Sequence, residues 1–176
     1  MGSPSRINDG LRRWQAEWSA GADLAARQAG AVRSSFLAAA ALRDHWRAYR
    51  DNLNSHEQGV MVVSLLKVLD HLEMATGQKP ERAEVDDIFD LLPAVRIAAR
   101  AAFDRGEIIP AHVTLGELAL VSADQTSAAE LSAALEHCSA VSAANCGEDL
   151  RERLGLFASL GFRAAWIGKA VRILEG

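Results

Sequence analysis

The chain has few of the features that mark membrane-spanning, secreted or disulfide-stabilised proteins. It contains two cysteines and four prolines in 176 residues, and aromatic residues make up 6% of it. No apolar run reaches the roughly 18 residues that a membrane-spanning helix requires. The first residues contain no apolar segment of the signal-peptide type. We therefore expect free thiols, no membrane span and a cytoplasmic location of the bacterial type.

The sequence motifs of common catalytic sites are also missing. There is no glycine-rich phosphate loop, no Gly-x-Ser-x-Gly elbow and no His-Glu-x-x-His zinc motif. Four residues suit zinc by type but lack the paired spacing of a zinc finger or ribbon, namely His112, His137, Cys138 and Cys146. These absences predict no metal and no cofactor, and they favour a protein without enzymatic activity.

No segment alternates between apolar and polar residues as a half-buried strand does. Apolar residues recur instead at helical spacing. We therefore predict an all-α fold, in which residues 8–176 form one domain. This domain is expected to be an orthogonal or up-and-down bundle of six to eight helices. Residues 1–7 are expected to be a disordered tail or an expression remnant.

The stretch 59–77 is the most apolar part of the chain and is expected to organise the rest. Its large apolar side chains cover almost the whole helix circumference, and a helix of this kind is buried. We therefore predict a central helix at about residues 56–76, with the other helices packed around it. The apolar residues are Val60, Met61, Val62, Val63, Leu65, Leu66, Val68, Leu69, Leu72 and Met74.

One narrow polar strip interrupts this helix. It consists of Ser64, Lys67 and His71, with Asp70 beside them. Pockets inside helical bundles are built from such strips. One hypothesis is therefore a small helical enzyme or ligand-binding protein in which Lys67, Asp70 and His71 bind the ligand.

Helix boundaries are predicted from capping residues. Ser55–Gln58, Thr114–Glu117 and Ser127–Glu130 each match a capping box, which places a helix start at each of them. Gly77 suits the left-handed end of the central helix. A further helix is expected to begin at the acidic residues that follow Pro80, since acids stabilise a first helical turn.

Residues 8–53 read as one long helix or two consecutive ones, with bulky residues at three- and four-residue steps from Leu11 to Leu53. A break is expected near Gly21 or Gly30, because glycine weakens a helix. We predict that this segment mediates self-association into a homodimer or binds a protein partner. The predicted interaction residues are Trp14, Trp18, Arg43, Trp46, Arg47, Tyr49 and Arg50.

Charge is distributed unevenly along the chain. Residues 106–150 contain no lysine or arginine, whereas residues 11–53 contain seven arginines. Residues 114–135 have the outline of a helix-turn-helix, but the second helix carries Glu130 and Glu136. Phosphate repulsion would oppose its docking into a DNA groove, so we expect no nucleic-acid partner.

Two short motifs resemble known sites over a few residues only. His56 followed by Glu57 resembles the phospho-accepting box of histidine kinases, which implies an exposed His56 as a phosphotransfer residue. Asp86, Asp87 and Asp90 have the spacing of the aspartate-rich motif of prenyl-transferring and terpene-forming enzymes. That resemblance implies Mg²⁺ binding, but the second metal motif of those enzymes is missing.

The sequence thus favours a non-enzymatic helical protein of the protein-interaction or regulatory type. The alternatives are a ligand-binding protein or enzyme with a pocket beside the central helix, and a phosphotransfer protein that uses His56.

Overall fold

The computed structural model describes residues 6–85, 88–122 and 127–176. Within these ranges the chain is all-α, as predicted, and the first predicted segment is divided into three helices. The described part of the chain contains nine helices, namely α1 (Arg6–Trp18), α2 (Leu24–Arg33), α3 (Ser35–Asp51), α4 (His56–Thr76), α5 (Ile88–Asp104), α6 (Ile108–Ser122), α7 (Ala128–Ala143), α8 (Glu148–Ser159) and α9 (Ala164–Glu175).

Helix α4 lies at the centre of the bundle. Its side chains are buried from Val60 to Leu72 apart from Lys67, Asp70 and His71, and it packs against α2, α3, α5 and α6. One continuous cluster of buried apolar side chains includes residues from all nine helices. Met74 was predicted to be buried but is 86% exposed, because the last turn of α4 lies at the surface.

Residues 8–53 were predicted to form one long helix or two consecutive ones, but the chain breaks twice and forms three helices. The first break includes Gly21, where a Cβ atom would come within 2.9 Å of the backbone nitrogen of Arg27. Asp23 then caps α2 by accepting a hydrogen bond from the backbone N–H of Ala26 over 2.8 Å. The chain therefore turns after Trp18, and α1 packs back against α2 and α3.

The second break falls at Ser34 and not at Gly30. Gly30 lies inside α2, where a Cβ atom would come within 2.8 Å of the Trp18 Cβ. Its role is therefore close packing against α1. The hydroxyl of Ser34 donates to the carbonyl of Gly30 over 2.9 Å, a local bond that competes with helix continuation.

Two of the three predicted capping boxes are wrong. Ser55 directly precedes α4, so the helix start predicted there is confirmed, but its side chain makes no capping bond. Thr114 lies inside α6, which begins at Ile108. Ser127 does cap α7, with its hydroxyl accepting from the Glu130 N–H over 3.2 Å. Gly77 ends α4 with a φ of 66°, as predicted.

The helix expected after Pro80 is also wrong, because residues 78–85 are not helical and α5 is described from Ile88 onward. The 78–85 segment lies against α4, where Arg82 pairs with Asp70 and donates to Glu73 over 2.5 Å. These ion pairs hold the segment on the bundle. No helix in the described ranges is both long and apolar enough to cross a membrane.

Candidate functional site

A buried carboxylate lies at the junction of three helices. Glu117 on α6 is fully buried, and Arg153 on α8 donates from Nη2 to its Oε2 over 2.8 Å. The hydroxyl of Ser64 on α4 donates to Oε1, also over 2.8 Å. Burial lowers the pKa of Arg153, but the charge of Glu117 and the hydrogen bond to it outweigh burial and raise it. Arg153 therefore stays charged, and the pair fixes the arrangement of α4, α6 and α8.

A buried histidine lies near this ion pair. His45 on α3 is 2% exposed, and its Nδ1 is 2.7 Å from Oε1 of Gln58 on α4. Burial lowers the pKa of His45 by more than the hydrogen bond with Gln58 raises it, and the charge of Arg153 lowers it further. The ring is therefore neutral near pH ~7. It donates from Nδ1 to Gln58, which leaves Nε2 as an acceptor.

His45, Gln58 and Arg153 line a cleft of about 460 Å³ between the N-terminal ends of α4, α6 and α8. The mouth is formed by the exposed residues Glu57, Cys146 and Asp149. The remaining wall is mainly apolar and is formed by Val60, Met61, Ile109, Pro110, Val113, Thr114 and Leu150.

Two nitrogens of the lining residues have no hydrogen-bond partner among the described residues. They are Nε2 of His45 and Nε of Arg153, and both are buried. A buried polar group without a partner destabilises the fold by about 1–3 kcal/mol. Trp18 Nε1 and Arg82 Nε are also unpartnered, but these residues do not line the cleft. Two residues that line the cleft thus each hold an unpaired nitrogen, and both nitrogens are sealed from solvent behind the largely apolar wall.

The predicted exposure of His56 is wrong. His56 is 2% exposed, and its Nδ1 lies 2.7 Å from the hydroxyl oxygen of Thr114. On the other side, Nε2 is 3.7 Å from Oε2 of Glu107, whose other oxygen accepts from Arg105 Nε. Phosphotransfer at His56 would require α4 and α6 to separate.

The row of Thr114, His56 and Glu107 has the residue types of a nucleophile, a base and an orienting acid. Thr114 lies inside α6, however, so the backbone N–H groups around it are already bonded within the helix. An acyl-transfer site also needs N–H groups that can stabilise an oxyanion. The row is therefore better explained as a satisfied polar contact between two helices.

The predicted ligand-binding residues Lys67, Asp70 and His71 do not line this cleft. Asp70 pairs with Arg82, and His71 Nε2 lies 3.2 Å from the carbonyl oxygen of Leu160. The His71 ring also meets Phe162 edge to face, with ring centroids 5.6 Å apart. Two of the three residues thus have partners within the protein, and their role in ligand binding stays a prediction.

The seven predicted interaction residues divide into two groups. Trp14, Trp18 and Tyr49 are buried in the core, and Trp14 Nε1 donates to the Ala31 carbonyl over 3.0 Å. The remaining four surround one surface depression on α3, namely Arg43, Trp46, Arg47 and Arg50.

In this second group the Trp46 ring stacks on the Tyr49 ring, with the two ring centroids 6.1 Å apart. The guanidinium of Arg50 lies 6.0 Å from the centroid of the Trp46 ring. Four of the seven residues thus lie around one surface depression, and their role in binding a partner stays a prediction.

Another polar contact joins α6 and α7, where the Nδ1 atoms of His112 and His137 lie 2.8 Å apart. Burial lowers the pKa of His137, and the neighbouring His112 lowers it further. Cys138 is buried nearby, and burial raises the pKa of its thiol to about 11. No three His, Cys, Asp or Glu side chains in the described ranges come together as a metal site. Asp86 and Asp87 lie outside those ranges, so the aspartate-rich motif stays untested.

The sequence did not indicate the polar residues that line the cleft, namely His45, Gln58 and Arg153, or Glu117, which holds Arg153 in place. One signal was present: Glu117 is the only charged residue between His112 and Asp124. An isolated acid in such an apolar helix indicates a buried partner, but the same residue also completes a capping box with Thr114. The capping-box prediction is wrong, because Thr114 and Glu117 both lie inside α6.

No family model matches this chain, and neither curated proteins nor solved structures give a match.

Proposed function

We propose that this protein is a helical small-molecule-binding protein without enzymatic activity, and that its ligand occupies the cleft beside His45 and Arg153. One observation carries the proposal. A cleft of about 460 Å³ is lined by two residues that each hold a buried side-chain nitrogen without a partner. Ligand sites typically are clefts of this volume with a mainly apolar wall and a few polar groups that orient the ligand.

The frame around the cleft supports the same function. His45 is held by Gln58 and Arg153 by Glu117, so each side chain is fixed before a ligand arrives. Pre-organised polar groups lose little conformational entropy on binding. Packing alone does not require an ion pair here, because apolar residues of similar volume are often as stable.

Cys146 at the mouth of the cleft offers a direct test. It is exposed, whereas Cys138 is buried and its thiol pKa is about 11, so a thiol reagent distinguishes them. A library of small neutral fragments is screened by ligand-observed NMR. Fragments that bind in the cleft should slow the alkylation of Cys146 in a saturable manner.

Two histidine variants provide the matched controls. His45→Asn removes the Nε2 acceptor while keeping a polar atom near the position of Nδ1, and it should weaken fragment binding about 2- to 10-fold. His71→Asn alters a half-buried histidine outside the cleft and should leave binding unchanged. If only His71→Asn weakens binding, the site lies at the residues predicted from sequence. If no fragment protects Cys146, the proposal is wrong.

A second candidate function is the binding of an acidic protein segment on the outer face of α3. Phe36, Arg43, Arg47 and Arg50 follow steps of seven, four and three residues, so they share one stripe of the helix. All four are exposed, and Phe36 is 51% exposed. Guanidinium groups beside aromatic rings are typical of protein interfaces.

Self-association through this face is less favourable than an acidic partner. In a twofold dimer the same surface meets itself, which would bring the arginines of the two copies together. Sedimentation equilibrium should therefore give a monomer at low salt. A mass increase that depends on concentration and is lost in Arg43→Glu/Arg47→Glu would favour the homodimer instead.

The acidic partner can be tested with a model peptide. A labelled, glutamate-rich amphipathic helix should bind the wild-type protein, and raising the salt from about 50 mM to about 500 mM should weaken the complex. The Arg43→Glu/Arg47→Glu variant should not bind it. Binding that persists in this variant would place the peptide elsewhere.

The proposal includes a cytoplasmic location of the bacterial type. Both cysteines are free, and free thiols are usual in a reducing compartment. Cell fractionation of the native host tests this part, and recovery from an oxidising compartment would contradict it.

A further inference from the structure

A groove of about 550 Å³ lies between α5, α6 and α7, apart from the cleft beside His45. On α5 its lining residues are Leu92, Arg96, Arg100 and Phe103. We propose that this α5–α7 groove is a second ligand site, which takes a small aromatic monocarboxylate. The inference goes beyond the proposed function and does not depend on it.

Two arginines bring positive charge into the groove. Arg96 and Arg100 are four residues apart, so their side chains are neighbours on one face of α5. Both are exposed, and neither guanidinium has an ion pair or hydrogen bond with any residue that the structure describes. Like charges at this spacing destabilise a helix slightly. An anion between the two guanidinium groups relieves this repulsion and gains charge-assisted hydrogen bonds.

The charge of the groove suits a monoanion. Glu130 is the one acid among the described residues that line it, so two arginines against one acid leave one net positive charge. His137 also lines the groove, but burial and the neighbouring His112 lower its pKa. It therefore adds no charge at about pH 7. One net positive charge matches a carboxylate better than a phosphate dianion.

An aromatic wall forms one end of the groove. The His112 ring lies between the rings of Phe103 and His137, with ring centroids 5.0 Å from both. The Nδ1 atoms of the two histidines are 2.8 Å apart, and this contact fixes His137. Aromatic rings pack well against such a wall, either edge to face or offset. The ligand body expected here is therefore aromatic.

The positions of the charged residues orient the ligand. Glu130 lies in the first turn of α7, about two turns before His137, so it is at the end of the groove away from the aromatic wall. Arg100 lies within about one turn of Phe103 on α5. A ligand whose ring packs on Phe103 can therefore place a carboxylate on a short linker at Arg100 and Arg96. This orientation keeps the carboxylate away from Glu130.

Three probes test the ligand class by titration calorimetry: hydrocinnamate, its neutral amide and inorganic phosphate. Hydrocinnamate should bind most tightly, with at least about a tenfold preference over the amide, which lacks the charge, and over phosphate, which lacks the ring. Raising the salt from about 50 mM to about 500 mM should weaken its binding. Equal or tighter binding of the amide or of phosphate overturns the inference, as does failure of hydrocinnamate to bind.

Arginine variants show whether the charge of this groove is responsible. Arg96→Gln/Arg100→Gln should weaken hydrocinnamate binding at least about tenfold. Arg43→Gln/Arg47→Gln is the matched control, because it removes an exposed arginine pair at the same spacing on α3. The control should leave binding unchanged. If it weakens binding as much as the groove variant does, the carboxylate does not select the groove and the inference is wrong.

A filling variant tests the groove without altering its charge. Ala133 is exposed and lines the groove, so Ala133→Phe can fill it from the surface of α7. This variant should abolish hydrocinnamate binding. Ala143→Phe makes the same substitution at an exposed position of α7 outside the groove and should have no effect. Unchanged binding in Ala133→Phe would overturn the inference.

Alkylation of Cys146 separates this site from the cleft beside His45. Hydrocinnamate in the α5–α7 groove should leave the alkylation rate of Cys146 unchanged, because Cys146 lines the cleft and not the groove. If hydrocinnamate slows the alkylation and His45→Asn weakens its binding, the carboxylate occupies the cleft. This inference then fails while the proposed function stands.

Discussion

Glu117 and Arg153 carry opposite charges in the interior, where solvation is poorest. The Glu117 side chain is 0% exposed and that of Arg153 is 14% exposed. Removing one member of such a pair leaves the other charged and unpaired, which is more destabilising than replacing both. Single and double variants of these two residues therefore test whether the buried ion pair is formed.

We expect Arg153→Met to reduce the free energy of unfolding by about 3–5 kcal/mol, because Glu117 is left buried without its partner. The double variant Glu117→Leu/Arg153→Met should recover most of this loss. Urea unfolding followed by circular dichroism gives these values. As a control, Arg12→Met breaks the exposed pair with Glu152 and should change stability little. A mild effect of Arg153→Met would mean that the buried pair is not formed.

His45 should make stability depend on pH. Burial lowers the pKa of His45 in the folded state, so the unfolded chain binds more protons as the pH falls through about 6.5. His45 therefore costs no stability at neutral pH, and the fold loses stability as the pH drops toward the lower folded-state pKa. The urea midpoint should fall more between about pH 7.5 and about pH 5 in the wild type than in His45→Asn. Identical pH dependence of the two proteins would show that His45 does not titrate in this way.

At the scale of the helices, the sequence predicts the bounds and burial of a helix where the residues of that one segment determine them. Helix α4 was predicted almost to the residue, because its apolar circumference requires burial and Gly77 provides its left-handed end. The break that includes Gly21 was among those expected, whereas the second was expected at Gly30 and falls at Ser34. The position of the second break depends on how α1 packs against α2 and α3. A repeating apolar pattern continues across such breaks and does not reveal them.

The cleft could not have been predicted for a similar reason. His45, Gln58, Glu117 and Arg153 come from α3, α4, α6 and α8, and no short motif contains more than one of them. The polar strip of α4 was interpreted as the lining of a ligand pocket, and one of its residues, Ser64, instead donates to Glu117 within the core. The pocket beside α4, however, lies near its first turns and not near Lys67.

Glycine substitutions test the packing of α4. A Cβ atom at Gly59 would collide with Val95 on α5 and come within 2.9 Å of the Tyr49 ring on α3. We expect Gly59→Ala to destabilise the fold by about 1–3 kcal/mol through overpacking. Gly155 in α8 has no atom within 4 Å of the equivalent position, so Gly155→Ala should stabilise by up to about 1 kcal/mol. Thermal unfolding compares the two, and equal effects would contradict the packing described for α4.

At the scale of the whole molecule, the two binding regions of the proposed function share helix α3. His45 points its neutral ring toward Gln58, whereas Arg43, Arg47 and Arg50 are exposed on the same helix. The all-α fold followed from the sequence because helical periodicity is local information. The position of the cleft did not follow, because it is a property of the assembled bundle.

The most direct test of the central claim is a map of where a ligand binds. Heteronuclear NMR spectra of the isotope-labelled protein are recorded during titration with the tightest-binding fragment of a neutral library. We predict saturable shifts of backbone amides in the first turns of α4, α6 and α8 and around His45. Shifts confined to the outer face of α3, or scattered over the surface without saturation, would contradict the account.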